Sequence, residues 1–121
     1  MASMFTPAPI KPTVPYSVFE SIDIRLGTIR AVNDVSGSRK LLSLIVSFGD
    51  HDRQILVGMK REREDAGQLV GRQALFVVNL EPKVIAGQRS EGMVFDIGFA
   101  DDVVPALAVP ERPLPDGMRA G

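Results

Sequence analysis

One stretch near the start of the chain sets most of what it can fold into. Ile22, Ile24 and Leu26 alternate with Asp23, Arg25 and Gly27, and the pattern runs on through Thr28, Ile29 and Val32 toward Asp34. A period of two is the signature of a strand with two unlike faces, so a long first strand is predicted. Gly27 removes a side chain inside it, where a strand must bend or coil sharply. Closure of a small sheet into a barrel is one way to use such a bend. Ser36-Gly37-Ser38 then marks a turn, and Leu42, Leu44, Val46 and Phe48 line one face of a second strand. Gly49-Asp50-His51-Asp52 turns the chain into a third strand, Gln54 to Val57.

Lys60 to Asp65 is an unbroken charged run, followed by Ala66-Gly67-Gln68-Leu69-Val70-Gly71. Lys60/Glu64 and Arg61/Asp65 stand four apart, which predicts a short helix or loop whose opposite charges cancel. Gln73 to Leu80 is apolar on both faces, and Met93, Val94, Phe95 and Ile97 form another such segment. Both read as strands covered on two sides. The predicted fold is all-β: a five-stranded OB-fold barrel with a short helix between strands 3 and 4 and extended N- and C-terminal arms. A strand apolar on both faces needs a second cover, from the chain's own ends or from a partner subunit, and a homodimer is expected.

Residues 1–16 hold Pro7, Pro9, Pro12 and Pro15 and read as a proline-rich arm, with residues 17–121 as the domain. Ser17-Val18-Phe19-Glu20 has the form of a capping box, predicting a helical turn near Phe19. Pro110 to Gly117 reads as an extended strap. The N-terminal stretch lacks a basic segment followed by a continuous apolar one, so a secretory signal is not expected. The apolar runs fall far short of the roughly 20 residues of a spanning helix, so no membrane insertion is expected.

Composition narrows the chemistry. Cysteine is absent and His51 is the single histidine, which leaves no thiolate metal site, no Cys nucleophile and no multi-histidine zinc centre. No Gly-x-Ser-x-Gly elbow, phosphate-binding loop or distinctive carboxylate pair is visible, so neither an enzyme nor a cofactor is expected. Asp50-His51-Asp52 offers metal-ligating atoms, yet no distant His or Cys completes a site and the residues suit a hairpin turn. The net charge of −1 provides no global field for polyanions, so a nucleic-acid site must be a local patch. Arg39-Lys40, after the Ser-Gly-Ser turn, and Lys83 with Arg89, between the last strong strands, are basic residues with little nearby compensation. Loop cations are usually only solvated, and loop glycines such as Gly87 and Gly92 usually serve the turn.

Asp23-x-Arg25-x-Gly27, Arg39-Lys40-Leu41-Leu42, Asn79-Leu80-x-Pro82-Lys83 and Ser90-Glu91-Gly92-Met93 follow in order along the chain. Together they resemble the tRNA-binding OB-fold domain family, which includes the C-terminal domain of bacterial methionyl-tRNA synthetases and the CsaA chaperones. The resemblance implies a non-catalytic, homodimeric, cytoplasmic protein that recognises tRNA by its shape and phosphates. It gives phosphate contacts to Arg39, Lys40, Lys83 and Arg89, and close-range hydroxyl or backbone donors to Ser90 and Gly92. Met93 would pack behind these, and Asn79 would bridge strand and loop. It also implies an alternative, a CsaA-like protein-export chaperone binding unfolded polypeptide through an apolar cleft. The chain departs from the family in having Glu81, a single Lys83 and Val84 where two or more basic residues are common.

Overall fold

A computed structural model describes residues 5–59 and 65–121. Most of Lys60 to Asp65 therefore lies outside the described residues, and the structure begins again at Asp65. A short helix, α1 (Tyr16–Glu20), precedes β1 (Ile24–Asp34), β2 (Leu42–Ser47) and β3 (Asp52–Val57). A 3-10 turn at Ala66–Leu69 leads into β4 (Gln73–Val77), and β5 (Lys83–Ile85) and β6 (Gln88–Ser90) form a hairpin. β7 (Met93–Val94), β8 (Asp96–Ile97), β9 (Ala106–Leu107) and β10 (Arg119–Ala120) complete the chain.

The main sheet runs β3-β2-β1-β4-β7, with β10 added against the start of β1. β1 can serve several neighbours because it is long and bends. Its first half pairs with β4, its second half pairs with β2, and the register slips between Ile29 and Ala31. Gly27 makes the coil possible, since a Cβ there would lie 2.5 Å from Val46 Cγ1 and 2.8 Å from Phe48 Cε1. The sheet curls shut where β3 meets the β6–β7 link: Glu91 N donates to Gln54 O at 2.8 Å. These are the five strands of a partly open all-β OB-like barrel, as expected from the alternation.

Ile29, Leu42, Leu44, Val46, Ile55 and Phe76 fill its interior, and Phe48 meets Phe76 edge-on at 5.8 Å. Side chains of this size each contribute about 1.5–3 kcal/mol on full burial. The C-terminal strap is stitched on by polar contacts. Gln73 Nε2 donates to Leu114 O at 2.6 Å, Thr28 Oγ1 donates to Asp116 Oδ1 at 2.6 Å, and Gly117 N donates to Leu26 O at 2.7 Å.

Three expectations need correction. The capping box does not form: α1 starts one residue before Ser17, after Pro15, and no side chain caps it. Ser17 is thus already helical, and its hydroxyl cannot reach back as a cap would. The apolar run from Met93 is not one strand covered on both sides. It breaks into β7 and β8: Phe95 N still donates to Leu75 O at 3.0 Å, but Leu75 N donates to Ala108 O instead of returning the bond. Met93, Phe95 and Ile97 remain 48%, 43% and 62% exposed. β4 also stops at Val77, leaving Leu80 outside and exposed, while the chain's own Ala108 covers the flank of Leu75. Among the described residues no helix is long and apolar enough to cross a membrane.

Candidate nucleic-acid interface

The first basic pair stands on a turn that its own serine builds. Ser38 N donates to Val35 O at 3.0 Å, and Ser38 Oγ accepts from Lys40 N at 3.2 Å and Leu41 N at 3.1 Å. Local bonding of this kind is what serine offers a turn. It leaves the Arg39 and Lys40 side chains exposed at the entrance to β2. The second pair lies on the β5–β6 hairpin, closed by Ala86 and Gly87 with φ of 51° and 78°. Both central residues are left-handed, which matches the twist of a two-residue hairpin loop. Lys83 pairs with Ser90 and Val84 with Arg89. Alternation along a strand therefore puts Lys83 and Arg89 on opposite faces of the ribbon.

The two basic loops approach the same end of β3 from its two sides. Leu42, just after Lys40, pairs with Val57, while Leu56 N donates to Ser90 Oγ at 3.0 Å opposite Lys83. Lys40 and Lys83 are thereby led to the same edge of the barrel. Sequence reading missed the residue that fastens the hairpin there. Arg53 Nη1 donates to Val78 O at 2.6 Å and to Glu91 O at 3.1 Å, gripping both ends of the connection that carries Lys83 and Arg89. Its Nε donates to His51 Nε2 at 3.1 Å, and His51 Nδ1 lies 2.6 Å from Asp50 Oδ1. The tautomer with the proton on Nδ1 satisfies both bonds, and the ring stacks on Phe48 at 5.6 Å. The His51 bond holds the Asp50 carboxyl below its usual range. Gln54 and Gln88, joined at 2.5 Å, add a second tie. A polar strand position gives no sign in sequence that distant carbonyls await it.

The other motif residues hold the frame. Asn79 Oδ1 accepts from Asp23 N at 2.8 Å and its amide donates to Ser21 O at 2.7 Å, joining the end of β4 to the link between α1 and β1. Asp23 receives the Arg25 guanidinium as a fork at 2.6 and 3.0 Å. That bond, opposed in part by burial, draws the Asp23 carboxyl below its usual range. Arg25 Nη1 also donates to Gly117 O at 3.1 Å, so the first motif anchors the strap. Ser90 is buried, and its hydroxyl donates to Gly92 O at 3.1 Å. Gly92 backs onto the barrel, where a Cβ would lie 3.0 Å from Ile55 Cδ1. Met93 does not pack behind them. It lines an apolar groove of about 170 Å³ with Leu56, Met59, Phe99 and Pro105.

Residues 24–119 match the family described as "Putative tRNA binding domain". Methionine–tRNA ligase of Methanothrix thermoacetophila is 39% identical over 107 residues, covering 88% of this chain and 15% of that protein. The corresponding ligase of Chlorobium luteolum is 38% identical over 87 residues, covering 72% of this chain and 12% of that protein. The chain thus spans only a small part of these relatives. Among solved structures, a MetRS-related protein from Pyrococcus horikoshii superposes with a TM-score of 0.84 at 27% identity, covering 92% of this chain and all of that one. The chaperone CsaA from Bacillus anthracis superposes at 0.79 and 27% identity, covering 91% of this chain and all of that one. Matched over most of its length in both sequence and barrel geometry, the chain belongs to the tRNA-binding domain family.

Proposed function

We propose that the chain is a non-catalytic, cytoplasmic homodimer that binds tRNA through the phosphates along its folded surface. The observation that carries this reading is the convergence of Arg39-Lys40 and the Lys83/Arg89 hairpin on one end of β3, on a body whose net charge is −1. Phosphate contacts position a protein on RNA, whereas base readout needs unstacked bases against aromatic or arginine platforms. No aromatic side chain accompanies the four cations in either loop, so recognition is of shape. Ser90, Gly92 and Asn79 serve it by fixing the loop rather than by meeting RNA. The homodimer draws support from the apolar surface of Met93, Phe95, Ile97, Phe99, Val103 and Val104, all exposed in the single chain. Titration with total tRNA at several salt concentrations tests the reading. Saturable binding that weakens with salt, and weakens for all tRNAs in Arg39→Ala with Lys83→Ala, is the expected result. No saturable binding at low salt would overturn it.

A second reading, binding of unfolded polypeptide, is favoured by the resemblance to CsaA and by the apolar groove at Met93 and Phe99. Suppression of aggregation of an unfolded client, lost in Met93→Gln with Phe99→Gln, is its test.

A further inference from the structure

The N-terminal arm lies outside the residues that match the family, and every described arm residue is exposed. Pro9, Pro12 and Pro15 are three apart. Polyproline II has three residues per turn, so this spacing sets the three rings along one edge. Pro15 already has φ −61° and ψ 148°, the values of that helix. Ile10, in the middle of the arm, is 99% exposed. Such segments bind by laying proline rings across aromatic side chains, with a neighbouring basic residue meeting an acid.

A surface of that kind stands beside the arm. Tyr16, Phe19, Ile22 and Met118 line a groove of about 660 Å³, together with the acids Glu20 and Asp23 and the cation Arg119, which acts on Asp23. The Tyr16 and Phe19 rings are 6.0 Å apart. Asp23 is taken by Arg25, whereas Glu20 and the arm's single charge, Lys11, have no ion pair among the described residues. At about 3.1 Å per residue the arm reaches roughly 30 Å, enough to cross to a neighbouring copy. The groove is also close to the apolar surface assigned to the dimer. Ile24, in the groove, pairs with Val77, which pairs with Met93, a span of roughly 10 Å across the sheet.

We infer that the arms are exchanged: the Pro9–Pro12–Pro15 edge of one copy lies in the Tyr16/Phe19 groove of a second copy, with Lys11 against Glu20. The inference rests on the homodimer reading, and its test separates the two. The chain has no cysteine, so single cysteines report contacts cleanly. Full-length Thr13→Cys protein is mixed with Ser21→Cys protein under mild oxidation and compared with a mixture of Thr13→Cys and Gln68→Cys, whose site lies at the other end of β1. The expected result is a mixed disulfide forming about tenfold faster in the first mixture, as tethering raises effective concentration. Adding Lys11→Glu to the Thr13→Cys copy should slow it several-fold, and Glu20→Lys in the Ser21→Cys copy should restore it. Equal rates in the two mixtures, with sedimentation still giving a dimer, overturn the exchange and leave the homodimer standing. Sedimentation as a monomer overturns both. An internal disulfide in a chain carrying both Thr13→Cys and Ser21→Cys places the arm in its own groove and overturns the exchange. So does weaker tRNA binding by Lys11→Ala together with equal cross-linking rates in the two mixtures, which would give the arm to RNA.

Discussion

At the scale of single residues, space and charge act separately. Gly27 is where β1 passes over Val46 and Phe48, both almost wholly buried. Gly27→Ala drives a methyl into side chains that cannot step aside, and overpacking of this kind costs about 1–3 kcal/mol. A lower urea midpoint with an unchanged slope is the expected measurement. This glycine was legible as a bend, because an alternating run with one missing side chain has few other meanings. Asp23 shows what was not legible: it bonds to Arg25 and to Asn79, and Arg25 is itself held by Gly117 of the strap, a set that only folding brings together. Its carboxyl is held below the ordinary value of 3.8 by the Arg25 bond. The stability it contributes is therefore complete above that value and disappears as pH falls through the lower, folded pKa. Asp23→Asn should be less stable than the parent at neutral pH, and the gap should close in acid. Because a third of the Asp23 side chain is open to solvent, the gap should be small. A gap that persists at the acid end would assign the loss to packing.

The elements divide in the same way. β1 to β3 were readable from alternation, and β4 from an apolar run that reads as a strand covered on two sides. The fifth barrel strand was readable as an apolar run from Met93, but its end at Val94 and its cover were not, since such a run looks the same whether the chain or a partner covers it. The basic loops were readable as composition, but their common location follows from Leu42 pairing with Val57 and from Ser90 bonding to Leu56. Arg53 turns that location into a fixed geometry. One planar guanidinium spans two carbonyls and an imidazole, which an ammonium on a flexible stem cannot do. Arg53→Lys keeps the charge and loses the grip. Faster amide exchange across residues 83–90 and several-fold weaker tRNA binding are expected, while the salt slope stays as it was because no phosphate contact is lost. A reduced slope would mean that Arg53 itself touches RNA.

For the whole molecule, near-neutral charge makes geometry decide whether RNA is held. With a Debye length of about 8 Å at physiological salt, each patch is felt only at contact, so the few cations proposed to face RNA on one chain's rim should give a shallow salt dependence. A two-fold dimer presents two such rims to one folded RNA. The second contact is then intramolecular, and affinity can rise by about 10²–10⁴ with no new kind of interaction. Each neutralised phosphate steepens the log-log salt slope by roughly 0.7–0.9, so the dimer's slope should be about twice that of a single chain. Phe99→Gln with Val103→Gln removes apolar surface without adding charge. If sedimentation then gives a monomer, its tRNA affinity should fall by two orders of magnitude or more and its slope by about half. A monomer that keeps the parent's slope would confine RNA to one subunit's rim. The apolar surface would then serve association alone.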